Sequence, residues 1–137
     1  MPTVELLFSA QPEHVRTARL VAAAVARRAG VDEAALDEVR LAVGEACSRA
    51  VGLHRNSGLE DPVRVRLTEE DKKFSIEVAD EVPGTSSGSA PDGGADEPAD
   101  DEGEMGLAVI SGLVDDFEVI DGDNGGIIRM SWPTVSL

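Results

Sequence analysis

LDEVRLAVGEACSRAVGLH, residues 36–54, is the stretch around which the chain is organised. Leu36, Val39, Val43, Cys47 and Ala50 recur at intervals of three and four, which lays one apolar stripe along a helix and turns that side towards a core. Leu41, Glu45, Ser48, Arg49 and Gly52 fall on another side. Glu45 and Arg49, one turn apart, admit two readings. They are either the edge of a binding site or an exposed ion pair worth roughly a few tenths of a kcal/mol.

Upstream, residues 13–29 (EHVRTARLVAAAVARRA) have high helix propensity, with Val15, Ala18, Ala22 and Val25 on one side. Arg27 and Arg28 suit the last turn of that helix, and Gly30 ends it. Asp32 is placed to cap the helix that follows, and Glu33 adds favourable charge to its first turn. Before both helices, residues 3–9 (TVELLFS) alternate as a strand and stop short of Pro12.

Downstream, RNSGLEDP reads as a loop, after which Val63, Val65 and Leu67 alternate with Arg64, Arg66 and Thr68. Glu69 to Lys72 is charged and turn-like. Phe74, Ile76 and Val78 alternate in turn, so residues 62–79 form an antiparallel hairpin with one wet face. Residues 81–103 are glycine, proline, serine, alanine and acid, with nothing large and apolar after Val82. That composition buries too little surface to offset ordering entropy and predicts a mobile acidic loop, a lid, a plug or a spacer. Residues 105–114 (MGLAVISGLV) resume as a short buried helix, and residues 117–120 and 127–132 read as two strands joined across DGDNGG.

This order predicts one domain over residues 1–137. The fold class is α/β in the α+β sense, a two-layer sandwich whose mostly antiparallel five-stranded sheet is covered on one face by three helices. A length of 137 residues suits a single core. Tyrosine is absent and aromatics make up 3% of the chain, so aliphatic side chains and alanine must fill the interior.

The formal charge of -15 argues against a nucleic-acid partner. It is uneven: residues 1–60 hold seven arginines against eight carboxylates, residues 61–137 five basic side chains against nineteen acidic ones. Cys47 is the lone cysteine and sits on the apolar stripe, which predicts a buried thiol in a reducing compartment. No apolar run reaches spanning length and no basic-then-apolar leader precedes residue 30, so the expectation is a cytoplasmic protein with no membrane partner.

Four pieces of the sequence, in order, resemble the histidine-kinase-like ATPase family, and within it the anti-sigma-factor serine/threonine kinases of bacteria. They are Glu45-Ala46-Cys47-Ser48-Arg49-Ala50, then Asp80-Glu81-Val82-Pro83-Gly84, then Glu104-Met105-Gly106-Leu107, and finally Gly125-Gly126-Ile127-Ile128-Arg129-Met130-Ser131-Trp132. Each motif alone is short and common; their order and spacing across nearly the whole chain carry the resemblance. It implies an ATP site in which Glu45 is the base and Asp80 meets the adenine amino group. Gly84, Gly106 and Leu107 would then line the nucleotide. An asparagine at the place of Arg49 would hold magnesium on the phosphates.

The chain departs from that pattern where the chemistry lies. Arg49 offers five donors and no acceptor, so it cannot ligate a cation that takes oxygen. Val82 puts a β-branched side chain, and Glu104 a negative charge, where the family has glycine. His54 falls one residue beyond the family's histidine, where this chain has Leu53. The expectation is a degenerate member, leaning away from enzyme activity, with no bound metal and no cofactor. Its implied partners are a STAS-fold anti-sigma antagonist and a sigma factor, and the resemblance also implies a homodimer. The alternative is an active serine/threonine kinase that uses ATP with magnesium and phosphorylates the antagonist. Asp80 also has a local reading, as a strand-end residue bonding its own backbone.

Overall fold

The computed structural model describes residues 3–82, 107–114, 116–122 and 125–134. Strand β1 (Thr3–Phe8) leads into helix α1 (Pro12–Ala29), then α2 (Leu36–Asn56), β2 (Val63–Glu70) and β3 (Lys73–Ala79). A helix over 107–113 (α3) and the hairpin β4 (Asp116–Gly122) and β5 (Gly125–Pro133) follow. All five strands are antiparallel to their neighbours in the order β1-β2-β3-β5-β4. The expected two-layer sandwich is the fold observed.

The helix ends follow local chemistry. Pro12 occupies the first turn of α1, where its missing N–H costs nothing. Gly30 closes that helix in the left-handed region at φ 104°, its N–H donating to the Ala26 and Arg27 carbonyls. Asp32 caps a 3₁₀ turn over Glu33–Ala35 rather than α2 itself, accepting from the Ala34 N–H at 3.5 Å. Arg27 reaches Glu33 at 3.0 Å, tying the end of α1 to that turn.

The stripe on α2 is buried as the periodicity requires, and the buried arc is wider than the stripe. Leu36, Val39, Val43, Cys47 and Ala50 are joined by Ala42, Gly44, Ala46, Val51 and His54. Two partners explain the width, because α2 packs against α1 as well as against β2 and β3. Gly44 faces α1, and the Arg19 side chain lies across it so closely that a methyl at residue 44 would stand 2.6 Å from Arg19 Cδ.

Cys47 is fully buried, and loss of solvent pushes its pKa up from 9.0 to about 12. The folded state therefore keeps a proton that the unfolded state releases. Stability from this group is complete below about pH 9 and declines as pH rises towards 12. The native protein is expected to resist a thiol reagent such as a disulfide dye at neutral pH and to react stoichiometrically once unfolded by urea. Rapid labelling of the native state would contradict the burial.

The uncovered sheet face carries a row of alternating charge. Glu5, Arg66, Glu77, Arg129 and Glu118 stand opposite one another on successive strands. Arg66 lies 3.3 Å from Glu5 and 3.8 Å from Glu77, and Arg129 lies 2.7 Å from Glu77 and 3.5 Å from Glu118. The hydrogen bond and charge of Glu77, with the charges of Glu118 and Glu70, raise the Arg129 pKa above its ordinary value. Opposite charges at directly paired positions favour this register, since a slip of one residue would turn the row towards the core.

The structure also adjusts element ends. β2 runs on to Glu70, so the turn shrinks to Asp71 and Lys72, with Lys72 at φ 65°. The last hairpin pairs out to Gly122 and Gly125, leaving two residues between the strands where the sequence reading expects a longer loop. Both extensions arise because ladder hydrogen bonds hold charged and glycine residues that propensity alone assigns to turns. The predicted loop 81–103 lies beyond Val82 outside the described residues. Among the described residues, no helix is long and apolar enough to cross a membrane.

Candidate functional site

The candidate site lies between α2 and the chain leaving β3. Asp80 follows the last residue of β3 and is buried, 6% exposed. Its Oδ1 accepts from the Val82 N–H at 2.9 Å and from the Gly126 N–H at 3.3 Å. The Asp80 N–H in turn donates to the Gly126 carbonyl at 3.0 Å. The local reading of Asp80 therefore holds in part, since it closes a turn on its own backbone while also fastening the start of β5.

Two neighbours make that arrangement fit. Gly125 has φ 141°, and a Cβ there would overlap the Asp80 carbonyl oxygen and lie 3.1 Å from Glu81 Cα. Val82 is buried, 5% exposed, and Lys72 is the sole non-glycine residue with positive φ among the described residues. Residue 82 thus takes a conformation open to a β-branched side chain.

On α2, Glu45 and Arg49 are both half-buried. The ion pair that their spacing allows does not form: the ion pairs of the described residues use Arg27, Arg40, Arg64, Arg66 and Arg129. An interaction worth roughly a few tenths of a kcal/mol does not hold two long side chains together. Arg49 donates and does not accept, so the donor set at this helix position does not fit magnesium. Leu107 is half-buried at the first described position of α3 and packs against the core. Gly84, Glu104 and Gly106 lie outside the described residues.

His54 is the residue whose place the sequence reading left open. Although α2 ends at Asn56, His54 is fully buried, with Nδ1 2.8 Å from the Asp61 carbonyl oxygen and Nε2 accepting from the Glu81 N–H at 2.9 Å. The signal was present, because one more step of four from Ala50 extends the apolar stripe to His54.

A layered sheet with Glu45 on its second helix and a buried aspartate at the end of its third strand defines a class. Residues 8–132 match the histidine kinase-like ATPase domain, and the chain belongs to that family. The similarity extends to individual proteins. The serine-protein kinase RsbW of Halalkalibacterium halodurans is 27% identical over 140 residues, covering 94% of this chain and 82% of that one. Its namesake from Oceanobacillus iheyensis is 28% identical over 141 residues, covering 93% and 84%. The crystal structure of the RsbU and RsbW domains of Rv1364c from Mycobacterium tuberculosis superposes with a TM-score of 0.70 at 17% identity. That match covers 98% of this chain and 32% of the longer one, and it speaks for the fold alone.

Proposed function

We propose that this protein is an anti-sigma-factor-like regulator that binds a STAS-fold antagonist, a sigma factor or both, with impaired use of ATP and magnesium. The observation that carries this reading is Arg49. By the motif resemblance it stands at the helix position from which the family holds magnesium, and the family's scaffold is matched from residue 8 to residue 132. On that resemblance a side chain with no acceptor stands where the family has a metal ligand, while the fold is retained. Regulation by protein contact needs the surface and not the metal. Arg16, Arg19, Arg27 and Arg28 are exposed on α1, with Arg27 paired to Glu33, and are the side chains we assign to docking an acidic partner; we place the protein in the cytoplasm as a homodimer.

Calorimetric titration with ATP, with and without magnesium, tests this reading beside an Arg49→Asn, Val82→Gly, Glu104→Gly variant. The wild type is expected to give no magnesium-dependent heat. A folded triple variant that gains binding would identify a disabled site. Magnesium-dependent binding by the wild type would overturn the reading.

A second reading, an active serine/threonine kinase, draws on the similarity to serine-protein kinases over 94% of the chain. In it Glu45 is the base, and Arg49 neutralises phosphate in place of the ion, since phosphoryl transfer depends chiefly on positioning and charge. Transfer of labelled phosphate from ATP to a STAS-fold antagonist that vanishes in Glu45→Ala would establish this alternative.

A further inference from the structure

His54 joins three separated parts of the chain through one ring. It projects from the last turns of α2, its Nδ1 meets the Asp61 carbonyl before β2, and its Nε2 meets the Glu81 amide after β3. The partners determine the tautomer. A backbone amide can only donate and a carbonyl can only accept, so Nε2 carries the lone pair and Nδ1 the proton. The ring is fully buried, and neither hydrogen bond is replaceable by water without opening the packing around it.

We propose that His54 is a positioning residue for the candidate site, setting the Asp80 turn against the C-terminal end of α2. The mechanical argument is a short chain of bonds. His54 holds the Glu81 amide at 2.9 Å, the neighbouring Asp80 carboxylate holds the Val82 and Gly126 amides, and Gly126 is the second residue of β5. Removing the Nε2 acceptor releases the middle of that turn while leaving both strands paired. The inference stands on these hydrogen bonds and is independent of whether the site takes nucleotide.

Two near-isosteric substitutions separate the two sides of the ring. In His54→Gln the side-chain oxygen reaches the place of Nε2 and can accept from the Glu81 amide, while nothing donates to the Asp61 carbonyl. In His54→Asn the shorter amide reaches the place of Nδ1 and can donate to the Asp61 carbonyl, while the Glu81 amide is left without an acceptor. Native-state hydrogen exchange is expected to show the Glu81, Val82 and Gly126 amides exchanging about tenfold faster or more in His54→Asn than in His54→Gln, with the β1–β2 amides alike in both. Equal exchange at these three amides in the two variants, or uniform acceleration across the sheet, would reduce His54 to a packing residue. The wild-type ring gives a check that needs no variant: nitrogen-15 spectra are expected to show an Nδ1–H tautomer, and an Nε2–H tautomer would overturn the proposal.

Discussion

Gly125→Ala is expected to be severely destabilising, lowering stability by about 3 kcal/mol or more. Two costs combine. The backbone at φ 141° is open to glycine and strained for any residue with a Cβ, and the new methyl would overlap the Asp80 carbonyl oxygen while sitting 2.9 Å from its carbon. Both obstacles are backbone atoms, which cannot rotate aside as a side chain can. Relief requires β5 to move away from Asp80, which breaks the hydrogen bonds between Asp80 and Gly126. In a thermal melt the midpoint should fall by roughly 10 °C or more. A fall within about 2 °C would show that the β4–β5 turn accommodates a side chain freely.

Asp80→Ala is expected to cost about 2–4 kcal/mol, because it removes one oxygen that serves two buried amides. The Val82 and Gly126 N–H groups, at 2.9 and 3.3 Å from Oδ1, would lose their acceptor in a place where water enters poorly. Asp80→Asn keeps an oxygen there and should stay within about 1 kcal/mol of the wild type in urea unfolding. Equal losses for alanine and asparagine would mean that the charge, and not the two hydrogen bonds, carries the contribution of Asp80. The comparison also guides binding studies. Loss of ligand in Asp80→Ala would conflate binding with a collapsed turn, whereas Asp80→Asn changes the group presented and leaves the turn in place.

Much of the fold was legible because it rests on local periodicity. The stripe on α2, the alternation in β2 and β3, and Gly30 as a helix stop each follow from side chains reading their own neighbours. The family likewise emerged from the order and spacing of short motifs. The site was less legible. Glu45 and Arg49 share the spacing of an ordinary ion pair, yet no pair forms, because that spacing permits the interaction without enforcing it.

What the sequence by itself determined is the set of elements and the two-layer class. What only the tertiary structure decided is how distant residues meet. The sheet order placed β5 beside β3 and so brought Gly126 to Asp80, and the register lined Glu5, Arg66, Glu77, Arg129 and Glu118 into one row. Packing against both α1 and the sheet widened the buried arc of α2 until it enclosed His54. The physical reason is one of range. Propensity and periodicity act over a few neighbouring residues, whereas hydrogen bonds such as Glu81 to His54 join positions that become neighbours only when the sheet and helices pack.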